Sequence, residues 1–497
     1  MPRSRHSAKR HRLVAYSAIL PLAILLSSCA VGPNYQRPKV NTPATFRGAE
    51  GAAQQASLAD LPWWEVFKDE TLKELIKTAL ANNYDLRVAI TRVEQEREIL
   101  AEARSEYFPA IGYGVTLTGG RNQFQFAPSS NSIKVQGFLA ALASASWEPD
   151  IWGRIRRTNE AARAEYLSTD EARRGVMLTV VSDVSQAYFQ LLGLQLQLDI
   201  ARQSVEAFKG SVALFEERLK GGVSSLLPVS RAQADESTAA AEIPELERQI
   251  ALTQNQISVL LGENPGPIEV KAKLLLETVP PEVPAGLPSA LLERRPDVLS
   301  AEETVHAASA QIGVATAAFF PQIGLTAFLG KISTPLSNVT LGLTNAWSAG
   351  TNITGPIFEG GKLRASKRQA IAAWQQATLQ FQQTALSAFQ DVSNALISRE
   401  KYDEIRTEQA RAVEADQTSV NIGLKRYMQG LSSYLEVLLA QEQLYPAQLA
   451  LAQTELNRRL VIVQLYKALG GGWNLTDAQW TSASAQTSAP NQPVPKP

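Results

Sequence analysis

A chain of 497 residues is longer than one compact domain normally needs, so it holds several domains or one very elongated architecture. Its 45% apolar content excludes a wholly disordered chain and a polytopic helical membrane protein. With 48 basic and 48 acidic residues the formal net charge is zero, and nothing in the charge balance points to a nucleic-acid partner.

Arg3, Arg5, Lys9, Arg10 and Arg12 form a basic leader, with no acidic residue before Glu50. An apolar run from Leu13 to Leu26 follows, too short to span a bilayer comfortably and ending in small residues, the pattern of a secretory signal. Residues 1–28 are read as that signal, and their removal leaves 43 basic against 48 acidic residues, a net charge of −5. Leu26-Ser27-Ser28-Cys29 resembles a bacterial lipobox, in which the cysteine is acylated and becomes the mature N-terminus. A plain signal peptide with an incidental cysteine is the alternative. Cys29 is the only cysteine, which excludes an intramolecular disulfide and any multi-cysteine metal site. Ala30, rather than Asp, follows it, which by the habit of such lipoproteins implies sorting to the outer membrane.

Residues 29–62 read as an extended lipidated lead-in, and the body that follows repeats itself. Tyr107-Phe108-Pro109-Ala110-Ile111-Gly112 recurs as Phe319-Phe320-Pro321-Gln322-Ile323-Gly324, an offset of 212. Gly153-Arg154-Ile155-Arg156 then meets Gly361-Lys362-Leu363-Arg364, and Asp183-Val184-Ser185 meets Asp391-Val392-Ser393, each offset by 208. Gly222, Ser224 and Ser225 meet Gly430, Ser432 and Ser433 at the same offset, as Leu261-Gly262 meets Leu469-Gly470. Two halves of one fold are expected, over 63–262 and 289–473, with a surface hairpin four residues longer in the first. The proline-rich stretch 263–288 reads as a linker, and 474–497 as a disordered tail.

In the first half, the periodic segment Leu72 to Glu106 predicts a half-length helix. From Met177 to Leu219 apolar residues recur in alternating steps of three and four, a coiled-coil seam. A helix from about Arg156 to Leu219 would be on the order of 95 Å long. Gly221 and Gly222 end it, Ser224 or Ser225 can cap the next helix, and a return limb runs to Leu261 with a kink or break expected at Pro244. Two half-length helices are expected to stack end to end beside each long one. In the second half the seam carries Arg399, Arg406, Gln409 and Asp416. It either borders an aqueous lumen or is solvated outside; periodicity does not decide.

Two segments, in hairpins about 108–148 and 320–354, change to a period of two. Ile111, Tyr113, Val115 and Leu117 alternate with small or polar residues, as do Ile323, Leu325, Ala327 and Leu329, and further on Leu341, Leu343 and Trp347. Each run has about the 9–11 residues that a transmembrane strand needs, although a half-buried strand of a soluble sandwich looks similar. The remaining strand, near Gln136 to Trp147, alternates less cleanly. Four strands cannot close a barrel, and an open edge in lipid leaves each backbone group unpaired at several kcal/mol. If these strands are in a membrane, the chain oligomerises: a dimer gives eight strands with a filled interior, a trimer twelve with room for a passage.

Leu291-Leu292-Glu293-Arg294-Arg295-Pro296-Asp297-Val298, Phe319-Phe320-Pro321-Gln322, Pro356-Ile357-Phe358-Glu359-Gly360-Gly361-Lys362-Leu363-Arg364 and Leu469-Gly470-Gly471-Gly472-Trp473 carry a resemblance. From about Cys29 to Trp473 the chain resembles the TolC-like outer membrane factor family, in its OprM/NodT-type branch of efflux lipoproteins. The resemblance implies an α-dominated membrane protein assembled as a homotrimer. A twelve-stranded transmembrane β-barrel, four strands per chain, would continue into a long coiled-coil α-helical barrel crossing the periplasm, ringed by a belt of linker and terminal segments. Such ducts work with a periplasmic membrane-fusion adaptor and an inner-membrane, commonly proton-driven, pump to export drugs, toxic compounds or metal ions. No cofactor is implied beyond a covalent lipid on Cys29.

The two helical turns are the places for adaptor contact, at Gly222, Val223, Ser224, Ser225 and Leu226 and at Gly430, Leu431, Ser432 and Ser433; glycine and serine also simply make such turns. The resemblance implies a periplasmic gate of apolar and acidic rings near Leu435 and Glu436, Leu435 sealing and Glu436 attracting cations. Leu439 stands where a second acidic ring is expected, and Ser432 where some relatives carry a latch arginine, for which Arg426 and Tyr427 are candidate substitutes. An exposed glutamate on a solvated face is the plain alternative for Glu436. Enzymatic signals are thin, since His306 is the only histidine after the leader and is read as structural, and no carboxylate spacing suggests catalysis. The competing reading is a lipid-anchored trimeric coiled-coil scaffold or adhesin without a transport pore.

Overall fold

The computed structural model describes residues 30–49, 56–121, 135–270, 272–274, 285–333 and 344–481. Cys29, Leu341, Leu343 and the loop around 122–131 lie outside them. In chain order, a 3-10 turn (Leu58–Asp60) precedes helices α1 (Trp63–Val66), α2 (Glu70–Asn82) and α3 (Tyr84–Ser105), strands β1 (Ala110–Arg121) and β2 (Val135–Trp147), and helices α4 (Arg154–Lys220) and α5 (Leu226–Leu260). The second half has α6 (Pro288–Leu291), α7 (Pro296–Ala317), β3 (Gln322–Ser333), β4 (Thr344–Thr354), α8 (Lys362–Met428) and α9 (Tyr434–Ala468), followed by α10 (Asp477–Thr481). The long helices α4 and α8 have 67 residues each and begin 208 positions apart, as do the 35-residue return helices α5 and α9. At 1.5 Å per residue, each long helix spans about 100 Å.

The chain divides into two compact units. The first gathers the segment up to Pro38, Val93–Thr169 and Ser300–Phe381, and contains a four-stranded antiparallel sheet in the order β1-β2-β3-β4. Its register sets Tyr113 opposite Ala143, Ala143 opposite Leu329, and Leu329 opposite Trp347. Opposed residues of an antiparallel sheet project from the same face. Ile111, Tyr113, Val115, Leu117, Ala145, Trp147, Leu325, Leu329 and Trp347 therefore share one face, and Gly112, Gly114, Thr116, Ser144, Thr326 and Ser348 the other. Among the described residues, β1 and β4 pair on one side only.

An N-terminal strap is fixed within this unit. Val31 N–H donates to Trp152 O at 3.0 Å, and the Arg157 guanidinium donates to Val31 O, Gly32 O and Asn34 Oδ1. Gly32 (φ 101°) packs on Gly313 so closely that a side chain at position 32 would strike the Gly313 backbone. Gly153 (φ 80°) meets Ala30 in the same way. Further along, Tyr35 stacks on His306 with ring centroids 4.5 Å apart and donates its hydroxyl to Glu302. Trp152 in turn stacks on Phe320 at 4.7 Å and donates to Pro321 O, which holds the approach to β3.

The second unit, Lys39–Arg92, Asp170–Leu299 and Gln382 onward, is helical among the described residues. Its helices meet end to end in two equivalent joints. At one, Asn83 Nδ2 donates to Leu260 O at 2.9 Å, and at the other Arg295 donates to Ala468 O at 3.1 Å. Asn83 also explains why the segment expected as one helix from Leu72 to Glu106 is two: its backbone is non-helical (φ −56°, ψ 128°) and its side-chain oxygen accepts from Leu86 N–H, capping α3. The pair Arg294-Arg295 braces this region. Arg294 pairs with Asp60 at 3.2 Å and lies over the Trp473 ring, while Arg295 pairs with Asp297 and Asp391.

Three further expectations change. Of the kink or break expected at Pro244, the break is absent, since helix α5 runs continuously through Pro244, as α9 does through Pro446. Ser225 occupies the N-cap position of α5, but its side chain makes no capping bond, and Ser433 behaves likewise. The stretch after Trp473 is not all tail: Trp480 is 4% exposed against Gly472, and Arg173 pairs with Asp477 at 3.0 Å. One buried indole and one ion pair outweigh the polar composition there.

Candidate functional site

Both long helices end in the same backbone device. Gly222 (φ 72°) donates its N–H to Leu219 O and Val223 to Arg218 O; Gly430 (φ 70°) donates to Tyr427 O and Leu431 to Arg426 O. This crossed pair of bonds satisfies the last helical carbonyls and requires a left-handed residue, which glycine supplies without strain. The sequence fits: each glycine lies two residues beyond the last helical position. Nothing lies within 4 Å of a side chain added at either glycine, so both turns stand open. Val223, Leu226, Leu431, Met428 and Leu435 are exposed large apolar residues, and Ser224 is half-buried and Ser225 exposed. Ser432 is half-buried, its hydroxyl unpartnered, and Ser433 is exposed.

Beneath the turns lies a shared core. Phe215, Val229, Ala232, Tyr427, Tyr434, Val437 and Leu438 form one buried cluster drawn from α4, α5, α8 and α9. The Phe215 and Tyr434 rings meet edge to face at 3.9 Å, Tyr427 meets Tyr434 at 5.1 Å, and the Arg218 guanidinium lies over the Tyr427 ring at 4.8 Å. Tyr434 Oη donates to Gln441 Oε1 at 3.2 Å, and burial pushes this phenol above its usual range. Tyr427, expected as a latch, is thus a buried member of this core. Its hydrophobic seam position in α8 decides its placement. Of the other gate candidates, Leu435, Glu436 and Arg426 are all exposed.

A second polar feature joins α8 and α9. Glu455, only 5% exposed, accepts from Arg406 at 2.9 Å, Arg458 at 3.1 Å and Arg459 at 2.8 Å, and Arg458 also pairs with Asp403 at 2.6 Å. Burial alone would raise the Glu455 pKa, but the hydrogen bonds from Arg406 and Arg459 outweigh it and hold the carboxyl below its usual range. Part of the polar seam of α8 is therefore committed to a partner helix. The seam arginine showed a polar position; only the fold reveals the carboxylate 49 residues away that answers it.

In the sheet, Ile111, Tyr113, Val115 and Leu117 are well exposed, Leu325 exposed at the margin and Ile323 half-buried. A row of exposed apolar side chains on one face of a sheet requires a non-aqueous neighbour. Among the described residues, no helix is long and apolar enough to cross a membrane, and no group of three or more His, Cys, Asp or Glu side chains could hold a metal ion.

The class defined by these features is a helix-dominated chain with paired open helical turns and a sheet whose outward face is apolar. The family model described as "Outer membrane efflux protein" matches residues 75–263 and 287–471, one stretch in each half. The chain belongs to this family of the bacterial outer membrane. It is similar to the toluene efflux pump outer membrane protein TtgC of Pseudomonas putida, at 34% identity over 464 residues, 91% of this chain and 94% of that protein. Among solved structures it is similar to the outer-membrane channel OprN, with a TM-score of 0.84 and 31% identity over 90% of this chain and 100% of that one. It is likewise similar to the open state of the MtrE outer membrane channel of Neisseria gonorrhoeae, with a TM-score of 0.80 and 28% identity over 90% and 99%.

Proposed function

We propose that three copies of this chain form the outer membrane duct of a tripartite efflux system, passively conducting small molecules from an inner-membrane, proton-driven pump and a periplasmic adaptor to the exterior. The observation that carries it is the sheet: one face mainly apolar, the other mainly small and polar apart from Leu142, Phe328 and Ile332, with two edges that run antiparallel and lack partners among the described residues. β4 of one copy can then pair with β1 of the next, and three copies close twelve strands without an edge in lipid. Cys29, acylated, anchors the start of the strap to the same membrane. The open turns at Gly222–Leu226 and Gly430–Ser433 receive the adaptor, whose own helical hairpins can approach the glycine and serine backbone and cover the exposed Val223, Leu226 and Leu431. Leu435 and Glu436 line the closing constriction, and its opening is a change of helix packing, with no catalytic step.

The cargo is of the classes named for the relatives, organic solvents and antibiotics, or of the metal ions that the family resemblance adds, and the pump supplies selectivity and energy. The test is reconstitution of the purified, acylated protein in planar bilayers. Stable trimers whose ion conductance rises on Leu435→Ala, and whose preference for cations falls on Glu436→Gln, support the duct. A monomer, or a trimer without conductance in any variant, would instead support the scaffold or adhesin.

A further inference from the structure

The first unit holds a cavity of about 680 Å³. This is within the range of about 300–1,000 Å³ typical of small-ligand sites. Arg104 on α3, Arg163 on α4 and the Tyr107-Phe108 turn line it, with His306 on α7 and Glu160 on α4 at its wall.

The carboxylates of the acidic wall already have partners. His306 stands between Glu160, 3.2 Å from Nε2, and Glu303, 3.4 Å from Nδ1, and Glu160 also takes Arg157 at 2.6 Å. A third lining guanidinium, Arg156, is committed to Asp150 at 3.1 Å. Arg104 and Arg163 are exposed and form no ion pair among the described residues. The cavity therefore offers two available cations beside two exposed aromatic rings, and Phe108 is 71% exposed.

Its position is equally specific. Tyr107 and Phe108 lead directly into β1, whose Ile111 and Tyr113 begin the apolar outward face. The strap passes alongside, since Tyr35 stacks on the same His306 that walls the cavity. Aromatic rings and basic side chains just outside an apolar belt are the chemistry of a membrane–water boundary. Paired guanidinium groups suit a phosphate, whose oxygens accept several N–H bonds at once.

We infer that this cavity binds the headgroup of an anionic phospholipid of the periplasm-facing leaflet, its phosphate between Arg104 and Arg163 and its glycerol end against Tyr107 and Phe108. The inference rests on the duct reading, which places β1 in the membrane and the strap on the outer wall. Such a lipid would fix the junction between strand and helix at the level of the acyl anchor.

Native mass spectrometry of the full-length protein, released in mild detergent with phosphatidylglycerol or phosphatidylcholine in mixed micelles, tests it. Phosphatidylglycerol is expected to be retained preferentially, one per chain, and to be lost about tenfold more readily from R104Q/R163Q, as expected for charge-assisted hydrogen bonds at a partly hydrated site. Phe108→Ser, which leaves both cations in place, is expected to weaken retention as well. Unchanged circular dichroism and oligomer mass show that the variants are folded. Equal retention of the two lipids, undiminished retention by the double variant, or full displacement by inorganic phosphate overturns the lipid site. The same spectra report acylation and oligomer state, so an unacylated monomer overturns the duct reading and the lipid site with it, an outcome distinct from a trimer without bound lipid.

Discussion

Phe215→Ala separates a structural account of the helical turns from a merely descriptive one. Phe215 is 1% exposed and shares one buried cluster with residues of three other helices, so its truncation opens the cluster that joins the two hairpins. Loss of a buried phenylalanine costs about 3–5 kcal/mol, and the edge-to-face contact with Tyr434 belongs to the upper part of that range. Helix ends open locally, so the cost falls on local opening and a global midpoint would dilute it. A loss of about 4 kcal/mol corresponds to roughly a 10³-fold rise in amide exchange around residues 205–240 and 420–445. Tyr434→Phe is the control: it keeps the ring, removes only the hydroxyl with its bonds to Gln441 and Ser211, and is expected to cost about 1 kcal/mol, a change of about fivefold. Exchange measured by mass spectrometry on the assembled protein reads both. If Phe215→Ala raises exchange no more than Tyr434→Phe, or raises it evenly along α4 and α8, the cluster is not what closes the hairpin ends.

Two further substitutions test charged sites. Glu455→Gln leaves Arg406, Arg458 and Arg459 facing a neutral amide and is expected to cost about 3–5 kcal/mol of local stability. Because the folded pKa of Glu455 is depressed, its contribution is complete above the ordinary carboxylate pKa near ~4.3 and is lost as the pH falls through the lower folded value, so wild-type exchange in α8 and α9 rises in acid while that of the variant, already high, changes little. His306 is the converse. The hydrogen bond it donates to Glu303 and then that to Glu160 raise its pKa against the effect of burial, so its stabilisation is complete below about pH 6.5 and fades as the pH rises through the folded value. An imidazole NMR titration of a chain beginning at residue 29, in which His306 is the one histidine, should report a midpoint above that of a free side chain, and Glu303→Gln should lower it.

Much of the architecture was legible because it is written in periodicities. The 208-residue offset reappears in helices of identical length, and the alternation Ile111, Tyr113, Val115, Leu117 became one face of a sheet. Features decided by a single side chain acting at long range were not legible. Asn83 splits a helix because it reaches Leu260, 177 residues away, and Trp480 holds a stretch that composition assigned to a tail. Tyr427 shows the limit at the site itself: the resemblance made it a candidate latch residue, but its packing in a core depends on Phe215 and Tyr434, which local sequence does not place beside it. The strap from Ala30 to Arg37 lacks any periodic signal, since its order comes from Arg157, His306 and Glu302.

One backbone device used four times gives a sharper discriminator than any single turn. Gly222, Gly430, Gly262 and Gly470 all have φ between 70° and 73°, and each ends a helix with the same crossed hydrogen bonds. Their surroundings differ. A side chain at Gly222 or Gly430 meets nothing within 4 Å, whereas at Gly262 it would lie 2.6 Å from Asn82 O, and at Gly470 2.9 Å from Arg294 O. Alanine at the open turns incurs only the left-handed penalty of about 1–2 kcal/mol. At the joints it must also displace backbone that is held by the Asn83–Leu260 and Arg295–Ala468 bonds, so Gly262→Ala and Gly470→Ala are expected to be distinctly more destabilising. If the open turns are shaped for a partner, larger residues there should weaken adaptor binding while leaving thermal stability nearly unchanged, and the joints should show the reverse. Equal stability losses at all four positions would mean that φ alone governs these glycines, and the distinction between a docking turn and a structural joint would fall.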